Sequence, residues 1–241
     1  MDTEQLSRNY QAVLEQIEQA AQRAGRNPAE ILLLPVSKGQ DPSVIDALAR
    51  LGPTTFGENR IQEAKAKIPL CSGRLRWHMI GYLQSNKVRD AVRMFQMIHS
   101  VDSLALAAEI SKWADKMATR VPILLEVNVA GESSKFGLSP QAVLDSISEF
   151  NQIPKVEVQG LMTIAPWSKE PEKVRPIFRK LKDLQRQCQE KLGGELPHLS
   201  MGMSGDYPVA IEEGATIIRV GTALFGPRKT MVKPKTSAEE E

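Results

Sequence analysis

Short apolar runs alternate along the chain with longer segments whose apolar residues recur every three to four positions, a pattern that predicts strands separated by amphipathic helices. The run that begins at Ile31 and reads Ile-Leu-Leu-Leu-Pro-Val stops abruptly at Ser37-Lys38-Gly39. Asp41-Pro42 then supplies an N-cap and a first-turn proline for a helix with Val44, Ile45, Leu48 and Leu51 on one face and Gly52 to end it. Ahead of this unit, Leu6, Tyr10, Val13, Leu14, Ile17 and Ala21 predict an extra N-terminal helix with Gly25 at its end. Seven further strands are predicted at 54–59, 76–81, 96–101, 122–129, 156–162, 196–200 and 216–220, with helices between them. Eight strands in βα alternation predict a single (β/α)8 barrel over residues 1–228. Residues 229–241 lack periodicity and read as a flexible C-terminal tail.

Composition narrows the partners. Apolar residues make up 41% and charged residues 25%, which is ordinary for a globular domain. The 31 basic and 29 acidic residues are interspersed and leave a net charge of +2, so nucleic acid is not an expected partner. No apolar run reaches the ~20 residues that span a bilayer, and the acidic start Met1-Asp2-Thr3-Glu4 is no export signal. A cytoplasmic protein without membrane partners is expected. Cys71 and Cys188 show no paired or metal spacing, and His78, His99 and His198 lack the i, i+4 arrangement of a metal site, so no metal is expected.

In a barrel the strand C-termini converge on one face and carry the chemistry. Lys38 closes the first strand, where an ammonium can bind phosphate, form an imine with an aldehyde, or extend into solvent. Ser200-Met201-Gly202-Met203-Ser204-Gly205 is expected as a glycine-rich loop after strand seven, and Arg219-Val220-Gly221-Thr222 follows strand eight. Glycines admit backbone N–H groups close to an oxyanion, and these two loops are where barrels commonly hold phosphate. Each segment alone also reads as an ordinary turn. Asp102 reads as a helix cap, Trp77 as core, and Glu132 to Gly137 as a surface loop above the barrel. No GxSxG, P-loop or GxGxxG pattern occurs.

Val36-Ser37-Lys38, Phe56-Gly57-Glu58-Asn59, Trp77-His78-Met79-Ile80-Gly81, Leu83-Gln84-Ser85-Asn86-Lys87, His99-Ser100-Val101-Asp102, Gly160-Leu161-Met162, Leu199 to Ser204 and Arg219 to Gly226 resemble, in order and over nearly the whole chain, the pyridoxal phosphate homeostasis protein family. The resemblance implies a barrel of the alanine-racemase N-terminal-domain type and pyridoxal 5′-phosphate (PLP) as an internal aldimine on Lys38. By the same resemblance the phosphate rests on Ser204, Gly221 and Thr222, Arg219 faces the pyridine nitrogen, and Asn59 lies beside the cofactor. Gly39 stands where a threonine is expected, Tyr82 where a histidine is usual, and Gly205 to Pro208 departs from the common pattern.

The implied function is intracellular vitamin B6 and amino-acid homeostasis without catalytic turnover, by a monomer that passes PLP to PLP-requiring apo-enzymes. Two rivals are a PLP-dependent amino-acid racemase and a sugar-phosphate isomerase using Lys38 and Glu58. Racemisation needs an acid/base on each face of the α-carbon. The residues after Gly226 are too few for the second domain that completes such a site in alanine racemase, and Tyr10, Tyr82 and Tyr207 are the only tyrosines.

Overall fold

The computed structural model describes residues 2–71, 73–132 and 135–227, so the predicted tail at 229–241 lies outside the described residues. The first helix, α1 (Thr3–Arg23), is capped by the Asp2 carboxylate accepting from the Glu4 N–H. Eight strands follow: β1 (Leu32–Pro35), β2 (Thr55–Glu58), β3 (Arg76–Met79), β4 (Met97–Val101), β5 (Val121–Glu126), β6 (Val156–Met162), β7 (His198–Met203) and β8 (Ile217–Val220). Between and after them lie α2 (Pro42–Ala49), α3 (Ile61–Lys67), α4 (Val88–Met94), α5 (Leu104–Lys116), α6 (Pro140–Gln152), α7 (Arg175–Leu192), α8 (Tyr207–Glu212) and α9 (Thr222–Phe225).

All pairings are parallel, and β1 joins β8 through Leu32↔Ile217 to Pro35↔Val220. The order β1-β8-β7-β6-β5-β4-β3-β2 closes through one bridge, Val36↔Gly57, with the Ser37 N–H donating to the Gly57 carbonyl at 3.0 Å. Closure of this kind removes the sheet edges and leaves two apolar layers. The larger joins outward strand residues such as Phe56, Trp77 and Leu161 to the helices. The smaller, made of Leu34, Ile80, Met97, Leu124, Met162 and Ile217, fills the barrel interior. Trp77 is therefore core, as its position in strand three suggests.

Caps fall where the side chains provide them. Asp41, Ser103 and Ser139 accept from Ser43, Leu106 and Ala142 N–H groups, so Ser103 rather than Asp102 caps α5. The largest departure from expectation is β7. It runs on through Met203 with a register shift between Ser200 and Met203, and Gly202 at φ +93° carries the irregularity. Residues 200–203 are strand, and the loop is confined to Ser204–Asp206.

Candidate functional site

One cavity of about 550 Å³ opens at the C-terminal end of the strands. It is lined by Lys38, Asn59, Ser204, Arg219, Gly221 and Thr222 together, the six residues singled out from the sequence. Pairing of β1 with β8 is what unites them. The Val36 N–H donates to the Val220 carbonyl at 2.9 Å, so the lysine turn and the segment after β8 leave the barrel side by side.

Lys38 sits in a tight turn. The Gln40 N–H donates to the Ser37 carbonyl at 2.9 Å, and Gly39, third residue of the turn, has φ +72°. A type II turn demands that positive φ, which explains glycine where a β-branched threonine would be strained. Across the cavity, the Ser204 hydroxyl accepts from the N–H groups of Gly221 and Ala223, each at 3.2 Å. This binds the loop after β7 to the start of α9 and gathers a hydroxyl and main-chain N–H groups in one corner. Asp206 anchors the same loop by accepting from the Met203 N–H at 2.6 Å. Burial holds the Asp206 carboxyl above its usual range, against the lowering effect of that bond and of Arg219.

Arg219 is 5% exposed and lies at one end of a buried polar chain. Its two terminal nitrogens donate to Ser200 Oγ at 2.7 Å and to the Thr163 carbonyl at 2.8 Å. Ser200 Oγ is 2.9 Å from His99 Nδ1, and His99 Nε2 is 3.0 Å from His78 Nδ1. Because Ser200 accepts from the guanidinium, its own proton goes to His99, which then donates from Nε2 to His78; both rings are neutral and every dipole in the row turns its negative end toward the cation. Burial, with neighbouring positive charge, lowers His78 to about 4 and takes His99 well below its usual value. Burial also lowers Arg219 to about 10 against the opposing pull of Glu126 and Asp206, which leaves it a cation at neutral pH. Glu126 is pushed up to about 7 by burial, an effect that Arg219 reduces and Asp102 adds to.

Sequence reading treated the histidines only as poor metal candidates, and no cluster of metal-ligating side chains occurs among the described residues. It missed them as a relay because positions 78, 99, 200 and 219 meet only through barrel closure. Inward parity on each strand was the one available signal. It also missed Lys67, 6% exposed, whose ammonium donates to Glu58, Glu63 and the Ser37 carbonyl. Glu58 is fully buried in that cluster and does not line the cavity, which removes the acid/base partner an isomerase would need. None of the three tyrosines lines the cavity. The Tyr207 hydroxyl donates to Gln16 of α1, and Tyr82 stacks on Phe136 with ring centroids 4.1 Å apart.

The alanine racemase N-terminal domain family matches residues 7–229. A pyridoxal phosphate homeostasis protein of Aquifex aeolicus is 47% identical over 94% of this chain and 98% of its own. The chain belongs to the pyridoxal phosphate homeostasis protein family. The Escherichia coli member is 36% identical over 92% of this chain and 97% of its own. Among solved structures, PipY of Synechococcus elongatus with PLP bound covers 88% of this chain with all of its own, at 36% identity and TM-score 0.78. An alanine racemase of Clostridium difficile shares the fold at TM-score 0.71 and 16% identity, and the match takes in 58% of that longer chain. No helix among the described residues is long and apolar enough to cross a membrane.

Proposed function

We propose that this protein binds PLP in the Lys38 cavity and holds it in reserve, serving vitamin B6 and amino-acid homeostasis and not a turnover reaction. The observation that carries the reading is the single cavity shared by a lysine, a hydroxyl-and-amide corner and a buried guanidinium. Two features fit the cofactor. Asn59 Oδ1 is a buried acceptor with no partner, a cost that a donor from a bound molecule removes. The corner at Ser204, Gly221 and Thr222 supplies the Ser204 and Thr222 hydroxyls as donors of the kind a phosphate accepts from, with the Gly221 and Ala223 N–H groups fixing the Ser204 oxygen. These residues would hold PLP, which would supply an aldehyde for the Lys38 amine to condense with, the carbonyl oxygen leaving as water.

Lys38 reaches the cavity from a tight turn; Asn59, after the end of β2, would contact the bound molecule, and Arg219 would face its ring nitrogen. A guanidinium has donors only, so Arg219 gives that nitrogen a hydrogen bond and no proton. An unprotonated ring draws electrons weakly, and no tyrosine lines the cavity to act as the second acid/base that racemisation needs; the Asp206 carboxylate there is engaged by the Met203 N–H. Both features favour retention over racemisation. We further read the molecule as a monomer that delivers PLP to apo-enzymes.

Titration of the purified chain with PLP, followed by absorbance, tests the reading alongside an assay for D-alanine. Saturable binding by the wild type, its loss of the covalent spectral band in Lys38→Ala, and no appreciable racemisation are expected. Alanine turnover at about 1 per second or faster, an ordinary enzymatic rate, contradicts it.

A further inference from the structure

The turn that presents Lys38 is held from behind by ions. Lys67 Nζ, at the end of α3, donates to the Ser37 carbonyl at 2.6 Å, to Glu58 Oε1 at 2.5 Å and to Glu63 Oε1 at 2.7 Å. Glu63 Oε1 also accepts from the Gly39 N–H. Glu58 takes the Ser37 hydroxyl at 2.6 Å and the Asn59 N–H at 3.2 Å. The carbonyl before Lys38 and the N–H after it therefore end in the same cluster, and Asn59 is tied to it as well.

We propose that Lys67 is a positioning residue for Lys38: it holds the Ser37 carbonyl before the reactive lysine directly and the Gly39 N–H after it through Glu63, and it cancels one of the two carboxylates behind the turn. The inference rests on the reading of Lys38 as the residue that captures PLP. Burial would raise Glu63, but hydrogen bonds from Lys67 and Gly39 and the charges of Lys67 and Lys38 outweigh it and hold the carboxyl below its usual range. Glu63 is therefore ionised and attracts the Lys38 ammonium, the form that cannot attack an aldehyde. Lys67 offsets that attraction. The other charged or titratable groups about the pair are Arg219 and Asp206 across the cavity, and Cys71 beside Lys67, on which Asp41 and Asp46 of α2 also act. Burial keeps the Cys71 thiol protonated, so it adds no charge.

The test uses the full-length chain and variants Lys67→Met, Lys67→Arg and Glu63→Gln, each given PLP over a pH series and trapped with borohydride, with labelling of Lys38 read by mass spectrometry. Lys67→Met should slow labelling by roughly 100-fold, the scale of an ångström misplacement, and move its midpoint to higher pH. Lys67→Arg keeps the charge and should restore the wild-type midpoint. Glu63→Gln removes a negative charge and should move the midpoint to lower pH. A purely structural Lys67 would alter stability and leave these midpoints together. Wild-type midpoints in both Lys67→Met and Glu63→Gln, or shifts in the same direction, overturn the proposal. Should Lys67→Met not fold, Lys67→Gln takes its place: a raised midpoint there upholds the proposal and an unmoved one overturns it. No label on Lys38 in the wild type refutes the PLP reading, and the inference with it; a labelled wild type with unmoved variants refutes the inference alone.

Discussion

At the β1–β2 end of the cavity three ionised side chains fix a turn of main chain, whereas at the β7–β8 end two neutral histidines and a serine fix one guanidinium. The task differs. A turn offers only a carbonyl and an N–H to hold, and charged partners bind such groups more strongly than neutral ones do. The guanidinium already carries charge, and a second cation beside it would be repelled, so its supports must stay neutral. The β1–β2 end is thereby held by ion pairs, and its Glu63 carboxyl is kept below its usual range. The β7–β8 end depends on histidines that must not protonate.

The largest effect should separate the two ends at once. Glu58→Leu leaves the Lys67 ammonium buried with Glu63 alone and should cost about 3–5 kcal/mol in urea unfolding at neutral pH. A loss below about 1 kcal/mol would mean that the cluster holds little. Next is acid. His78 is free to protonate near 6.5 when unfolded but near 4 when folded, so its contribution is complete above about pH 6.5 and drains away as pH falls toward 4. The loss amounts to about 3 kcal/mol. Glu126 works in the opposite sense: its folded value near 7 lies above its unfolded one, so acidification from pH 7 toward 4.5 relieves a burden. The wild-type slope is thus blunted. Glu126→Gln should steepen the acid loss and His78→Gln should reduce it, the remainder coming from His99, which burial also lowers, as followed by thermal unfolding across pH.

Ser200→Ala removes an acceptor from Arg219 and a donor from His99, and should cost about 1–2 kcal/mol, with weaker PLP binding and an intact Lys38 turn. The smallest effect is expected outside both networks. Tyr82 is 48% exposed and off the cavity lining, so Tyr82→Ser should change stability by no more than about 0.5 kcal/mol and leave PLP binding unchanged. A loss of binding there would extend the site to the Tyr82–Phe136 stack.

The features that were legible in the sequence are local ones. An apolar run ending in lysine, Asp-Pro and Ser-Pro helix starts, and strands alternating with helices can be read along the chain, and they brought Lys38, Arg219 and the Ser204 and Gly221 segments to one barrel mouth. The supports were not legible. Glu63 and Lys67 form an i, i+4 pair of the kind that usually lies on a solvated face, and only docking of the short helix α3 against the Ser37 carbonyl buries it. The loop expected from Ser200 onward is strand up to Met203, because Gly202 absorbs a bulge that brings Met203 opposite Arg219 on β8. In both places the sequence signal is an ordinary one, and tertiary contact decides its meaning.

The central claim is that the Lys38 amine and the Ser204–Thr222 corner receive the same small aldehyde phosphate. The most direct measurement is mass spectrometry of the Lys38 peptide after saturation with PLP and reduction with borohydride. A pyridoxyl phosphate adduct confined to Lys38, and suppressed by Ser204→Ala combined with Thr222→Val, is predicted. An unmodified Lys38 peptide under saturating PLP would contradict the account.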